Sequence, residues 1–141
     1  MSATLFGNIA RTTVPQTALR RFLALDAVVT SGNGVAYAAF SAPLGRLLGV
    51  DGTLLLGLGI FLLLYGAGVG LLAARPRPAG FPVKVVIEAN YAWAGLSLVA
   101  LFVGPDPTTA GAVWIPVQAL TVASFALLQQ LALRAADSGS R

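Results

Sequence analysis

Residues 22–37 read FLALDAVVTSGNGVAY. This stretch decides the fold, because it places an acid, Asp26, inside a segment that otherwise reads as a membrane-spanning helix. At about 100° per residue, Asp26, Thr30, Asn33 and Tyr37 fall within roughly 60° of one another. A carboxylate near the centre of a bilayer costs at least about 3 kcal/mol on insertion scales. We therefore expect this polar face to turn toward other helices or a wet cavity, and away from lipid.

The composition of the whole chain is that of an integral membrane protein. Hydrophobic residues make up 57% of the 141 residues and charged residues 10%, with a mean hydropathy of +0.82. Ordinary soluble domains lie far from these values. Four spans with short connections would use most of the chain. The sequence thus predicts an all-α integral membrane protein, an antiparallel bundle of four transmembrane helices joined by short loops.

Proline and glycine clusters divide the apolar sequence into these spans, because neither residue continues a helix well. Asp106 is predicted to cap a fourth helix that starts at Pro107. A flexible cytoplasmic arm is predicted for residues 1–18 and a polar cytoplasmic tail for residues 135–141. The transmembrane domain is predicted at residues 19–134. Its spans are expected at about residues 22–42, 54–74, 83–103 and 110–133.

The basic residues are distributed unevenly over the two sides of this predicted bundle. Eight would lie on the side of the termini and only Arg46 on the other. Cytoplasmic loops carry the excess of Lys and Arg. The sequence therefore predicts a multi-pass protein of the plasma membrane with both termini in the cytoplasm. The eight are Arg11, Arg20, Arg21, Arg75, Arg77, Lys84, Arg134 and Arg141.

Gly59, Gly66 and Gly70 share one face of the second span. Small residues at this spacing let another helix backbone approach closely in a membrane. We expect this face to pack against a helix, either within the bundle or in a homo-oligomer. The other expected partner is the lipid bilayer.

The chain has no cysteine and no histidine. Thiol chemistry, disulfides and His-ligated metals or haem are therefore excluded, and no cofactor or metal site is predicted. No activated nucleophile is visible either, so we expect no enzyme activity. The net charge of +4 fits basic anchors at lipid headgroups better than nucleic-acid binding, for which no interleaved basic and aromatic surface is present.

Asp26 and Glu88 are predicted to lie at a similar depth, near the cytoplasmic boundary. In one interpretation they line a cavity open to the cytoplasm, where one carboxyl could take and release a proton near neutrality. The protein would then be a proton-linked transporter, or a binder of a small hydrophobic or cationic ligand. The predicted ligand or proton site consists of Asp26, Asn33, Tyr37, Glu88, Asn90, Trp93 and Gln118.

In the alternative interpretation the polar residues only hold the bundle together. Glu88 would pair with Lys84, and Asp26 with Arg20, Arg21 or Lys84, while the amides bond across helices. The protein would then be a structural or accessory subunit of a membrane complex. What contacts Asp26 separates the two interpretations.

In size, and in having a carboxylate in the first of four spans, the chain resembles the small multidrug exporters. The resemblance is one of architecture, and it implies proton-coupled export by a dimer. The exporters are shorter, their acid is a glutamate, and nothing in their pattern corresponds to Lys84 and Glu88.

Overall fold

A computed structural model describes the backbone of residues 2–78, 80–104 and 106–139, and the side chains of these residues from position 15 to position 138. The described chain is helical, without strands. The helices are α1 (Ser2–Ala39), α2 (Ser41–Leu48), α3 (Gly52–Ala74), α4 (Gly80–Val103) and α5 (Thr109–Gly139). Among the described residues, α3, α4 and α5 are long and apolar enough to cross a membrane. The all-helical class is thus confirmed, with three candidate spans.

The first helix is longer than predicted. α1 runs without a break through the segment expected to be a flexible arm, with Pro15 inside it. A proline removes one backbone hydrogen bond, and neighbouring turns can maintain a helix across that loss. α1 is not among the candidate spans, because Asp26, Thr30 and Asn33 lower its mean hydropathy. At the other end of the chain, α5 continues to Gly139, into the predicted polar tail, since its Ala and Leu residues favour helix.

The predicted connector after the first span is largely the short helix α2. Gly49 ends α2 with a φ of 73°, a left-handed conformation that glycine adopts without strain. A Cβ at Gly49 would also lie 2.6 Å from the backbone nitrogen of Thr108. The N–H of Thr108 donates to the carbonyl of Leu48 at 3.3 Å. This turn is therefore fastened to the start of α5.

The caps of α3 and α5 also hold this end together. The Asp51 carboxylate accepts from the backbone N–H of Leu54 at 3.3 Å and caps α3. At α5 the cap is Thr108, whose hydroxyl accepts from the N–H of Gly111 at 3.1 Å. The prediction that Asp106 caps this helix was wrong. Thr108 takes that role, since its hydroxyl also donates to the carbonyl of Leu47 and is thereby held in place by α2.

α1 is the central helix of the bundle. It packs along α3 on one side and along α5 on the other, and α4 packs on α5. α3 and α4 are consecutive in the chain, yet their backbones barely touch. The main core is formed where Leu19 and Leu23 of α1 meet Val69, Val83 and other buried side chains. The space left between α3 and α4 positions the site described below.

The closest helix contact joins α1 and α3 through glycines. A Cβ at Gly59 would lie 2.6 Å from the backbone nitrogen of Ala38 and 2.8 Å from the carbonyl oxygen of Gly34. Gly66 faces Ser31, and a Cβ at Gly70 would be 3.7 Å from Ala27. The glycine face of the second span thus lies against α1, and at Gly59 there is no room for a side chain.

We expect Gly59→Ala to destabilise the bundle by about 1–3 kcal/mol, because the added methyl would push two backbones apart. Gly57→Ala is the matched control: a Cβ there meets nothing within 4 Å, and alanine favours helix by up to about 1 kcal/mol over glycine. Thermal unfolding in detergent, followed by circular dichroism, measures both. Equal effects of the two substitutions would contradict the glycine contact.

Candidate functional site

Asp26 lies in the middle of the bundle, with 1% of its surface exposed. One carboxylate oxygen, Oδ1, accepts a hydrogen bond from the Thr30 hydroxyl at 2.9 Å. The other, Oδ2, accepts from the Asn90 amide at 2.7 Å and from the Gln129 amide at 2.8 Å. Thr30 lies one helical turn after Asp26, whereas Asn90 belongs to α4 and Gln129 to α5. The carboxylate therefore joins three helices.

This polar network reaches the fourth long helix through Asn90. The Asn90 Nδ2 also donates toward Gln129 Oε1 at 3.2 Å, and its Oδ1 accepts from the Tyr65 hydroxyl of α3 at 3.0 Å. The Tyr65 hydroxyl also lies 3.2 Å from the carbonyl oxygen of Val86. Hydrogen bonds that share partners in a dry interior strengthen one another. The network, defined as Asp26, Thr30, Tyr65, Asn90 and Gln129, thus connects α1, α3, α4 and α5.

All described hydrogen-bond donors to Asp26 are neutral. No arginine or lysine among the described side chains pairs with it, so the ion pairs considered for Asp26 are not formed. Arg20 instead donates its Nε–H to the carbonyl of Ala73 at 3.0 Å, where a cation is favourable at the C-terminal end of α3. Arg21 and Lys84 are exposed. The buried carboxyl therefore has no cationic partner within the described part of the chain.

A cavity of about 330 Å³ lies beside the network, between the four long helices. Thr30 and Asn90, which cover Asp26, form part of its wall. The volume is in the range of small-molecule sites, which are mostly apolar with a few polar groups. The aromatic side chains of the wall are Tyr37, Phe61, Tyr65, Trp93, Trp114 and Phe125.

Aromatic side chains bridge the gap between α3 and α4. The Phe61 ring stacks on Trp93 of α4, with centroids 6.4 Å apart and planes at 11°, and on Tyr65 at 6.0 Å. The Trp93 indole N–H donates to Gln118 Oε1 at 2.7 Å. The Phe61 ring thus lies in the cavity wall between α3 and α4, and it is itself 53% exposed.

The polar groups facing the cavity are not all in use. The Trp114 indole donates to the Tyr37 hydroxyl at 2.7 Å. Asn33 has no hydrogen-bond partner among the described residues. Its side chain lines both this cavity and a second one, of about 640 Å³, between α1, α2 and α5. An amide with free donors and acceptors is therefore available to a bound molecule.

The structure brings together most residues of the predicted site. Asn33, Tyr37, Asn90, Trp93 and Gln118 line the cavity, and Asp26 lies behind the wall. Glu88 does not join them, since its side chain is exposed and lies outside the cavity wall. Two residues along a helix differ by about 200° in direction, so a helix that turns Asn90 inward turns Glu88 outward. The similar depth predicted for Asp26 and Glu88 therefore did not mean that both side chains face the same site.

The sequence interpretation missed two partners of the network. Gln129 lies eleven residues after Gln118, which places both within about 20° on the same face of α5. That spacing could have assigned it to the site. Tyr65 carried no such signal, because its side chain reaches Asn90 only through the particular rotation of α3 against α1.

No known protein family, curated protein or solved structure matches this chain in comparisons of sequence and fold. A helix bundle hosts many unrelated activities, so the architecture alone does not assign one. The functional conclusion therefore depends on the cavity and on the polar network beside it.

We expect Asp26→Leu to destabilise the fold much more than Asp26→Asn. Leucine leaves the amide donors of Asn90 and Gln129 unsatisfied, and each unsatisfied buried donor lowers the free energy of unfolding by about 1–3 kcal/mol. The oxygen of an asparagine can still accept from both, while its NH₂ donates to the Thr30 hydroxyl. We expect Asp26→Asn to change stability by less than about 1 kcal/mol. Thermal unfolding in detergent compares the two, and a loss in Asp26→Asn as large as in Asp26→Leu would show that the charge itself holds the bundle.

Proposed function

We propose that α1 is a fourth membrane span. α1 packs lengthwise between α3 and α5, with buried side chains from Leu19 to Tyr37. A helix in contact with two spans over this length shares their depth in the bilayer. Its polar residues Asp26 and Thr30 are buried, whereas Leu25 and Val28 are exposed at 53% and 70%, as a face toward lipid requires.

We further propose that the protein resides in the plasma membrane with both termini in the cytoplasm. The support is the eight-to-one distribution of basic residues together with the positive-inside rule. On this topology the turns at Asp51 and Asp106 face outward, and the connector of residues 75–78 faces the cytoplasm.

Single cysteines test this orientation without background, because the chain has none. We expect an impermeant thiol reagent added to intact cells to label Thr53→Cys and Asp106→Cys. Gly80→Cys should be labelled only after the cells are permeabilised. All three positions are exposed, so protection reports the side of the membrane. The opposite pattern would reverse the topology.

We propose that the protein binds a small, largely apolar ligand in the cavity, either neutral or cationic, and exchanges a proton at Asp26. The observation that carries this proposal is a cavity of about 330 Å³ with aromatic walls beside a buried carboxyl that has no cationic partner among the described side chains. Small-molecule sites combine such apolar walls with a few polar groups. Aromatic faces also attract organic cations.

The charge of Asp26 determines which ligands the cavity would favour. An ionised carboxyl in a low-dielectric interior attracts a cation more strongly than it does in water and repels an anion. The three neutral donors of its network do not cancel that charge. Protonation of Asp26 removes the attraction, so a bound cation and a proton compete. Competition of this kind is what couples the movement of a cation to that of a proton.

A pair of isosteres tests the proposal: phenyltrimethylammonium and neutral tert-butylbenzene. Both tryptophans of the chain, Trp93 and Trp114, line the cavity, so intrinsic fluorescence reports occupancy. We expect both compounds to bind, the cation at least about tenfold more tightly. The cation affinity should fall as the pH is lowered, because protonation of the carboxyl removes its attraction for the cation. In Asp26→Asn the preference and its pH dependence should disappear.

A second pair of variants controls for binding elsewhere. Val122→Phe fills the cavity wall and should weaken both compounds, whereas Leu120→Phe, on the same helix but 65% exposed and outside the wall, should not. Affinities that are unchanged in Val122→Phe would contradict binding in the cavity. A charge preference that persists in Asp26→Asn would contradict the role of the carboxyl.

A structural role is the second candidate, and one observation favours it. Every polar group of the network has a partner inside the bundle, which is what interhelical hydrogen bonds need in order to hold helices together. If neither isostere changes the tryptophan fluorescence while Asp26→Leu unfolds the protein, the network only holds the helices together, and the protein is an accessory subunit.

A further inference from the structure

We propose that an anionic phospholipid binds in the groove between α3 and α4, at the end next to the connector of residues 75–78. This site is separate from the cavity beside Asp26, and it depends on the proposed membrane topology but not on the proposed cavity ligand. An acyl chain would lie in the groove, and the headgroup would meet the basic residues at its mouth.

The groove lies between α3 and α4, whose backbones barely touch. It has a volume of about 420 Å³ and is lined by Gly68, Leu71, Leu72, Phe81, Val85 and Val86, with Arg75 at one end. Leu71 is 73% exposed and Phe81 79%. A Cβ at Gly68 would meet nothing within 4 Å. In the hydrocarbon region an apolar groove of this kind is filled by an acyl chain.

Tyr65 separates the groove from the cavity. Its hydroxyl contacts the carbonyl of Val86 and the side chain of Asn90, so this side chain bridges α3 and α4 where the groove ends. Val86 lines the groove and Asn90 the cavity. An acyl chain in the groove is therefore limited to the half of the bundle near the connector.

The charges at the mouth match an anionic headgroup. Arg75 lines the groove, Arg77 lies in the connector and Lys84 in the second turn of α4, and all three are exposed. None of them forms an ion pair with a described side chain. Between residues 75 and 88 the only acid is Glu88, so the net charge is positive. Basic residues at the cytoplasmic leaflet attract anionic lipids, and each residue adds a similar amount to the binding free energy. Arg20 is different, because its guanidinium is engaged by Ala73.

The combination of groove and charge favours a lipid over a soluble anion. A free phosphate would use only the basic residues, and a zwitterionic lipid would use only the groove. An anionic phospholipid uses both, since its chain and its headgroup are joined at the depth where the groove meets the connector.

Native mass spectrometry of the full chain in detergent tests the proposal with phosphatidylglycerol and phosphatidylcholine of identical acyl chains. We expect preferential retention of phosphatidylglycerol. The double variant Arg75→Gln, Arg77→Gln should lower that retention about tenfold and leave phosphatidylcholine unchanged. Gly68→Leu fills the groove and should lower the retention of both lipids.

Two matched variants serve as controls, and both should behave as the unmodified chain. Arg46→Gln removes a cation at the opposite end, and Gly57→Leu adds a side chain on an exposed face of α3 where a Cβ meets nothing within 4 Å. Tryptophan fluorescence during thermal unfolding verifies that each variant is folded.

Three results would overturn the proposal. Unchanged phosphatidylglycerol retention in the arginine double variant would remove the headgroup contact. Lower phosphatidylglycerol retention in that variant without any decrease in Gly68→Leu would mean that the headgroup is attracted to the surface and that no acyl chain binds in the groove. Displacement of the lipid by an equal concentration of glycerol 1-phosphate would identify a soluble phosphate as the true ligand chemistry.

Discussion

A carboxylate buried among neutral donors is the constraint on which the rest of this structure depends. Asp26 is 1% exposed, and burial of such a group is tolerated only when hydrogen bonds replace its water. Asn90 and Gln129 must therefore come within 2.7 and 2.8 Å of one oxygen. That requirement fixes the rotation of α4 and α5 about their own axes. The outward direction of Glu88 follows from it.

The glycine contact between α1 and α3 sets the distance between these two helices. Because Gly34 and Gly59 have no side chains, the two backbones approach until a Cβ would lie 2.6 Å from a neighbouring backbone atom. α3 therefore packs closely on α1, whereas its backbone barely touches that of α4. The space that opens between α3 and α4 is bridged by Tyr65 and by the Phe61–Trp93 stack. Residues of both α3 and α4 line the cavity and the groove.

Much of this arrangement could be predicted from local patterns, and the exceptions have a common cause. The polar face from Asp26 to Tyr37 and the glycine face of α3 follow from the helical period alone. Glu88 and Asp106 were misassigned because their roles depend on neighbours distant in sequence. Asn90 rather than Glu88 meets α1, and Thr108 rather than Asp106 is held by α2. Such choices are made by tertiary contacts.

The neutral shell around Asp26 also bears on what the carboxyl can do. A carboxyl paired with arginine resists protonation, because taking up a proton would leave a buried cation without a partner. Here a protonated Asp26 can donate to the Thr30 hydroxyl, which can in turn donate to a carbonyl in the preceding helical turn, as threonines in helices do. Asn90 and Gln129 can keep donating to the other oxygen. Both protonation states can therefore be satisfied by the same hydrogen-bond partners, whereas protonation of the acid in a buried ion pair would leave the cation without a partner.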